Sequence, residues 1–271
     1  MQVVILSGGF GTRLSHIVKD VPKPMAPINN VPFLDYIINT LKSNNIDKFV
    51  FLTGYKSEVI EEYYKNLKNA KFIKEENALG TGGALLNAFN CLEEEFFVIN
   101  GDTFFDVDYN IFYDFAKNNS AAIALRYTDN IKRYGFVSID DSFNITNFTE
   151  KSNLPDNTID GYINGGIYYF KKSILEKYYK NFNGQFISLE NEIFPQLVNN
   201  KELKGLPIGG LFIDIGIPED YQKAQTLIPS WLKKIKKPAL FIDKDGTIIV
   251  NTEYPHGNNF IIIENTLDIT K

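Results

Sequence analysis

A chain of 271 residues, 44% hydrophobic and 23% charged, has ordinary globular composition and enough apolar content for a sizeable core. Its net charge of −5 argues against wholesale nucleic-acid binding, and a single cysteine, Cys91, against a disulfide framework. No apolar run approaches a membrane-spanning length, and the opening one is too short for a secretion signal, so a soluble cytoplasmic protein is expected. Homo-oligomerisation is left open.

The first apolar run, Val3-Val4-Ile5-Leu6, has the look of a buried parallel strand. It breaks into Ser7-Gly8-Gly9-Phe10-Gly11-Thr12-Arg13-Leu14, and Pro22-Lys23-Pro24-Met25 follows. Glycines straight after a strand let the backbone approach a ligand and turn its N–H groups toward an anion. Arg13 and Lys23 place two cations beside that loop, which suits a polyphosphate. The dinucleotide fingerprint is excluded because Leu14 stands where its third glycine belongs, and no Gly-Lys-Ser/Thr triplet of a Walker loop occurs.

Farther on, Phe33, Leu34, Ile37, Ile38 and Leu41 recur at helical spacing, predicting a helix from Pro32 to about Lys42. Strands are expected at Phe49–Leu52, Lys71–Ile73 and Phe96–Ile99. Helices are expected after Ser57, read as an N-cap, and over Ala84–Leu92. This alternation predicts an α/β fold, a doubly wound, mostly parallel sheet whose ligands bind beyond the carboxyl ends of its strands. From Ala121 the texture changes to strand-like pieces at 121–127, 134–139, 145–148 and 161–170, expected as partly antiparallel additions walling a cleft. Helices near 173–179 and 189–198, a strand over Leu211–Asp214 and a closing helix from Ile217 to Leu227 complete this part. Pro229 to Pro238, rich in lysine, reads as a linker, which divides the chain into 1–228, 229–238 and 239–271.

Two aspartates close strands: Asp102 after Asn100-Gly101, and Asp214 just before Gly216. Facing a polyphosphate loop, they suit a hard cation such as Mg²⁺; the structural alternative is that each caps the next turn. The second glycine-rich stretch, Leu79-Gly80-Thr81-Gly82-Gly83, lets a flat base lie against the backbone, and is equally compatible with a helix start capped by Thr81. Glu76, just upstream, suits guanine N1 and N2 as an acceptor, or is a solvated loop carboxylate. His16 and His256 have no partner spacing that suggests a metal pair. The 15 tyrosines and 22 phenylalanines, spread through apolar segments, read as core rather than a stacking platform.

The G-G-x-G-T-R-L loop followed by K-P-M resembles the signature of the sugar-phosphate nucleotidyltransferases, and the likeness extends to about residue 228. It implies transfer of a nucleotide from a triphosphate to a sugar 1-phosphate. Arg13, Lys23, Asp102 and Asp214 are the implied catalytic residues, and the two aspartates the Mg²⁺ ligands. The nucleotide would lie against Leu6, Gly8, Gly9, Gly11, Thr12, Arg13, Glu76, Gly80, Thr81 and Gly82. The sugar phosphate would meet Tyr134, Gly135, Glu150, Lys151, Asn164 and Gly165. The Leu79–Leu85 loop is similar to that of guanylyl-transferring members, which implies GTP, although Ala78 stands where many have proline.

After a new strand at Ala239–Ile242, Asp243-Lys244-Asp245-Gly246-Thr247 resembles the first motif of haloacid-dehalogenase-type phosphatases. Asp243 would be the nucleophile and Asp245 the acid/base, but the later motifs have no room before Lys271. With Tyr254-Pro255-His256 this start is similar to phosphatases of heptose bisphosphate. That implies a transferase making GDP-heptose from GTP and D-glycero-D-manno-heptose 1-phosphate for surface glycans such as lipopolysaccharide or capsule. Mannose- or glucose-1-phosphate transferases using GTP, CTP or UTP, and a non-catalytic sugar-nucleotide-binding subunit, are the alternatives.

Overall fold

The computed structural model of the protein describes residues 1–9, 14, 18–129, 131, 136–149 and 160–235. Met1–Leu232 pack as one compact unit. The phosphatase-like segment, with Asp243, Asp245 and His256, lies outside the described residues, as does His16.

The chain begins with β1 (Gln2–Leu6), a short hairpin of β2 (Pro27–Ile28) and β3 (Val31–Pro32), and α1 (Phe33–Ser43). It continues with β4 (Lys48–Thr53), α2 (Ser57–Tyr64), β5 (Ala70–Lys74), α3 (Gly80–Asn87) and β6 (Glu95–Asn100). Next come β7 (Thr103–Phe105), α4 (Tyr109–Ala116), β8 (Ala121–Thr128), β9 (Phe136–Ile139), β10 (Ile145–Thr149) and β11 (Gly161–Lys171). Last are α5 (Glu176–Tyr179), α6 (Phe194–Asn199), β12 (Leu203–Pro207), β13 (Phe212–Asp214) and α7 (Pro218–Ile235).

One nine-stranded sheet organises these elements, in the order β10-β9-β11-β6-β1-β4-β5, with β8 on β11 and β12 on β8. β6, β1, β4 and β5 run parallel, whereas β11 is antiparallel to β6, β8 and β9. The central strands are apolar throughout because both faces are covered. Val3, Ile5, Phe49, Phe51, Phe97 and Ile99 point to one core, shared with α1, α2, α4 and α7. Val4, Val50, Leu52, Phe96 and Val98 point to the other, with Leu85 and Leu86 of α3 and Phe194 and Leu197 of α6. The alternation is the strand period of two, and it makes the sheet doubly wound.

Three local expectations change. Ser57 is the first helical residue of α2, not its cap, and its buried hydroxyl has no hydrogen-bond partner among the described residues. α3 starts at Gly80, so the second glycine-rich stretch is the helix's own first turn rather than a loop before it. α7 does not stop at Leu227 but passes through Pro229 to Ile235, into the segment read as linker. A proline in a helix leaves the carbonyl four residues back without its donor. Here that carbonyl belongs to Gln225, and the Asn29 side-chain amide donates to it at 2.8 Å. Asn29 sits in the turn between β2 and β3 with φ +47°, its own N–H bonded to the Gln225 side chain. The hairpin thereby satisfies the break, and Trp231 Nε1 anchors the continuing helix to Asp106 at 2.7 Å.

Candidate active site

β6, β1, β4 and β5 end side by side at their carboxyl edge. Asp102 follows β6, Gly8 follows β1, Gly54 follows β4 and Glu75 follows β5. At the usual spacing of parallel strands, Glu75 and Asp102 stand three strands, roughly 14 Å, apart. The glycines between them keep the floor open. The carboxylate of Glu75 lies over both: a Cβ on Gly8 or Gly54 would fall 2.5 or 2.6 Å from its Oε1. A cavity of about 350 Å³ occupies this edge, lined by Leu6, Gly8, Gly9, Glu75, Gly80, Thr81, Asn100, Asp102, Phe186 and Glu190, among others.

At the Asp102 side, three distant segments meet. The Lys23 ammonium, in the short 3₁₀ turn Lys23–Met25, is 2.5 Å from Asp102 Oδ2 and 3.5 Å from Asp214 Oδ1. Asp102 and Asp214 are brought together because β13 pairs with β7, opposing Asp214 to Thr103. The Gly101 N–H bonds to Leu6 O at 2.9 Å, which ties the Asp102 turn to the glycine loop. Asp214 accepts from the Gly216 N–H at 2.7 Å. Burial, and then the neighbouring Asp102 charge, push the Asp214 carboxyl above its ordinary range, against the pull of Lys23. Two like charges held in a half-buried crevice call for a cation between them, and the Lys23 ammonium fills that place.

At the Glu75 side, the first turn of α3 is held by a strap, residues 184–188. Ile187 N–H donates to Leu79 O, and Ile187 O accepts from the N–H groups of both Gly82 and Gly83. Gly80 has φ +72°, a conformation that favours glycine, and a side chain there would strike the Ile187 carbonyl. The Thr81 hydroxyl does not cap the helix: it donates to Glu190 Oε2 at 2.8 Å and accepts from the Leu189 N–H. Glu75 itself accepts from the Leu79 N–H at 3.1 Å, and its carboxyl is raised above its ordinary range by burial.

Among the expected nucleotide-site residues, Leu6, Gly8, Gly9, Gly80 and Thr81 line the cavity, and Gly82 is buried beneath the strap. Glu76 does not line it: its side chain is exposed, and the adjacent Glu75 points in instead. The sequence carried the signal, an acidic pair after a strand, but the bonds of Glu75 to Thr53 O and from the Leu79 N–H decide which member faces the crevice. Asn164 is committed internally, accepting from the Gly166 N–H and donating to the Tyr168 hydroxyl, both at 2.9 Å. Gly165 is buried under the Phe105 ring. Gly11, Thr12, Arg13, Tyr134, Gly135, Glu150 and Lys151 lie outside the described residues. Phe186 and Glu190, which line the same cavity, carried no sequence signal for the site.

The family model for nucleotidyl transferases matches residues 2–230. The chain belongs to the nucleotidyl transferase family. A D-glycero-alpha-D-manno-heptose 1-phosphate guanylyltransferase of Campylobacter jejuni is 38% identical over 225 residues, 82% of this chain and 97% of that protein. The enzyme of the same name from Aneurinibacillus thermoaerophilus is 39% identical over 238 residues, 86% of this chain and all of that one. The crystal structure of HddC from Yersinia pseudotuberculosis complexed with GMP-PN superposes with TM-score 0.71 at 35% identity, covering 83% of this chain and 97% of HddC. This chain is therefore an enzyme of the nucleotidyl-transferring class. Among its described residues no helix is long and apolar enough to cross a membrane.

Proposed function

We propose that the chain transfers GMP from GTP to D-glycero-α-D-manno-heptose 1-phosphate, giving GDP-heptose and pyrophosphate. The observation that carries the base assignment is Glu75, a carboxylate lining the same cavity as Asp102, which Lys23 joins to Asp214. Guanine presents two adjacent donors, N1–H and the N2 amine, and a carboxylate presents two acceptors. Uracil and thymine present one donor between two carbonyls, which a carboxylate meets poorly. The heptose assignment follows the likeness to the two guanylyltransferases over nearly their whole length.

In the reaction, a phosphate oxygen of the sugar 1-phosphate forms a bond to the α-phosphorus of GTP. The bond from that phosphorus to the bridging oxygen of the β-phosphate breaks, and pyrophosphate leaves with the electron pair. The nucleophile is already an anion, so alignment and charge neutralisation carry the rate. Glu75 and the backbone of Gly80 fix the base, and the glycine loop admits the triphosphate. Lys23 supplies positive charge at the reacting phosphates, and Arg13, Glu150 and Lys151 are assigned by family resemblance to the phosphates and the sugar. The donor set fits a divalent cation: Asp102 and Asp214 present hard oxygens around one positive charge. Among the described residues no cluster of three or more possible ligands exists, so substrate phosphates and water would complete the shell. When bound there, Mg²⁺ supplies further neutralisation of the triphosphate.

Pyrophosphate release across four nucleoside triphosphates and a panel of sugar 1-phosphates tests the assignment. GTP with the heptose 1-phosphate is expected to be preferred, and equal use of all four triphosphates, or a CTP or UTP preference, would overturn it. Glu75→Gln keeps one acceptor and turns an amide donor toward a guanine donor, so kcat/KM for GTP is expected to fall by roughly 10–10²-fold. The pH dependence has a definite sign. Guanine needs Glu75 ionised, and its carboxyl is raised, so KM for GTP rises as pH falls through that raised value. The limb is expected to vanish in Glu75→Gln, and its persistence there would assign it to another group.

A further inference from the structure

We propose that Phe186 is the stacking wall of the base pocket and lies against the face of the bound guanine; this deepens, and depends on, the guanylyl assignment. Among the described residues most aromatic side chains are buried or packed against a core, yet Phe186 is 61% exposed, the most exposed phenylalanine of them. It belongs to neither hydrophobic core, and its ring lines the cavity that holds Glu75 and Gly80. The ring edge reaches the α3 first turn itself: a Cβ on Gly80 would sit 2.9 Å from Phe186 Cζ.

Its backbone is not free to follow solvent. The next residue, Ile187, is bonded through both its N–H and its carbonyl to the first turn of α3. On the other side, Gln185 closes a local turn by accepting from the Asn183 N–H and donating to Asn181 O. Beyond Ile187, Ser188 and Thr81 both donate to Glu190 Oε2. A fixed backbone thus holds an apolar ring out of the core and beside a carboxylate that reads a base edge. A purine placed with its donor edge at Glu75 would cover that ring and remove its apolar face from water. Stacking gives affinity without contributing to the displacement at phosphorus, so it acts equally on ground and transition states.

The test is calorimetric titration of the full-length protein with GDP, alongside inorganic tripolyphosphate as a probe of the phosphate subsite alone. Phe186→Ala is expected to weaken GDP about tenfold and leave tripolyphosphate unchanged. In turnover it should raise KM for GTP with kcat preserved. Phe186→Trp is expected to restore GDP affinity, and its added indole fluorescence, read against the Trp231 background of the parent, should change when GDP binds. GDP affinity unaltered in Phe186→Ala, or a loss shared equally by tripolyphosphate, would overturn the proposal. If the parent protein instead prefers another nucleoside triphosphate, the guanylyl assignment fails. The Phe186→Ala loss measured on that nucleotide then still decides whether the ring stacks on a base.

Discussion

Asp214→Asn is expected to abolish transfer, lowering kcat by about 10³-fold or more, while the protein melts no lower than the parent in the absence of divalent cations. The two effects have one cause. Asp214 is held against Asp102 in a half-buried crevice, and burial together with that neighbour disfavours its charge. Asparagine keeps the oxygen that accepts the Gly216 N–H and removes the repulsion. What it also removes is an anionic oxygen for the cation that neutralises the triphosphate. Asp102→Asn is expected to lose activity similarly. Steady-state rates at saturating Mg²⁺, with thermal melts in a chelator, provide the measurement. Near-normal turnover in both variants would remove the two aspartates from the reaction, and a collapsed melt would make Asp214 a structural residue instead.

Lys23→Ala is expected to lower kcat by roughly 10²–10³-fold, with a smaller change in sugar-phosphate KM, because a positive charge preorganised at the developing phosphate charge is lost. The structure adds a second signature. Lys23 is the counter-charge between Asp102 and Asp214, its side chain only 13% exposed. Without it two carboxylates face each other unpaired, so the cation-free variant should melt below the parent. Added Mg²⁺ should then raise its melting temperature more than it raises that of the parent. Equal shifts in the two proteins would show that the divalent cation binds elsewhere. If only the sugar KM rose, Lys23 would be a ground-state ligand of the sugar phosphate.

Much of this was legible locally. The parallel strands announced themselves as short apolar runs, because strands covered on both faces need apolar side chains at every position. The glycine loop, Asp102 and Asp214 were all recognisable at strand ends, since that is where an α/β sheet leaves its ligand edge. Phe104 and Phe105 of β7, helix α4 and strand β12 carry no comparable local mark. Their pieces are short, and β7 and β12 become strands by pairing with β13 and β8, which lie far along the chain. The passage of α7 through Pro229 was also invisible, because its missing donor is replaced by Asn29, 196 residues away in sequence.

The sequence by itself therefore determined the doubly wound sheet, the glycine loop and the identities of the lysine and the two aspartates. Each is written in contiguous residues whose spacing follows the period of a strand, a turn or a helix. Only the tertiary structure decided how they are used. It placed Lys23 between carboxylates 79 and 191 residues distant. It turned Glu75 rather than Glu76 into the crevice, with the Glu75 N–H bonded to Thr53 O and its carboxylate to the Leu79 N–H. It also held Phe186 at the cavity by hydrogen bonds from Ile187 to a helix more than a hundred residues earlier. The physical reason is that contacts between distant segments are fixed by packing and register, which no local pattern of side chains encodes.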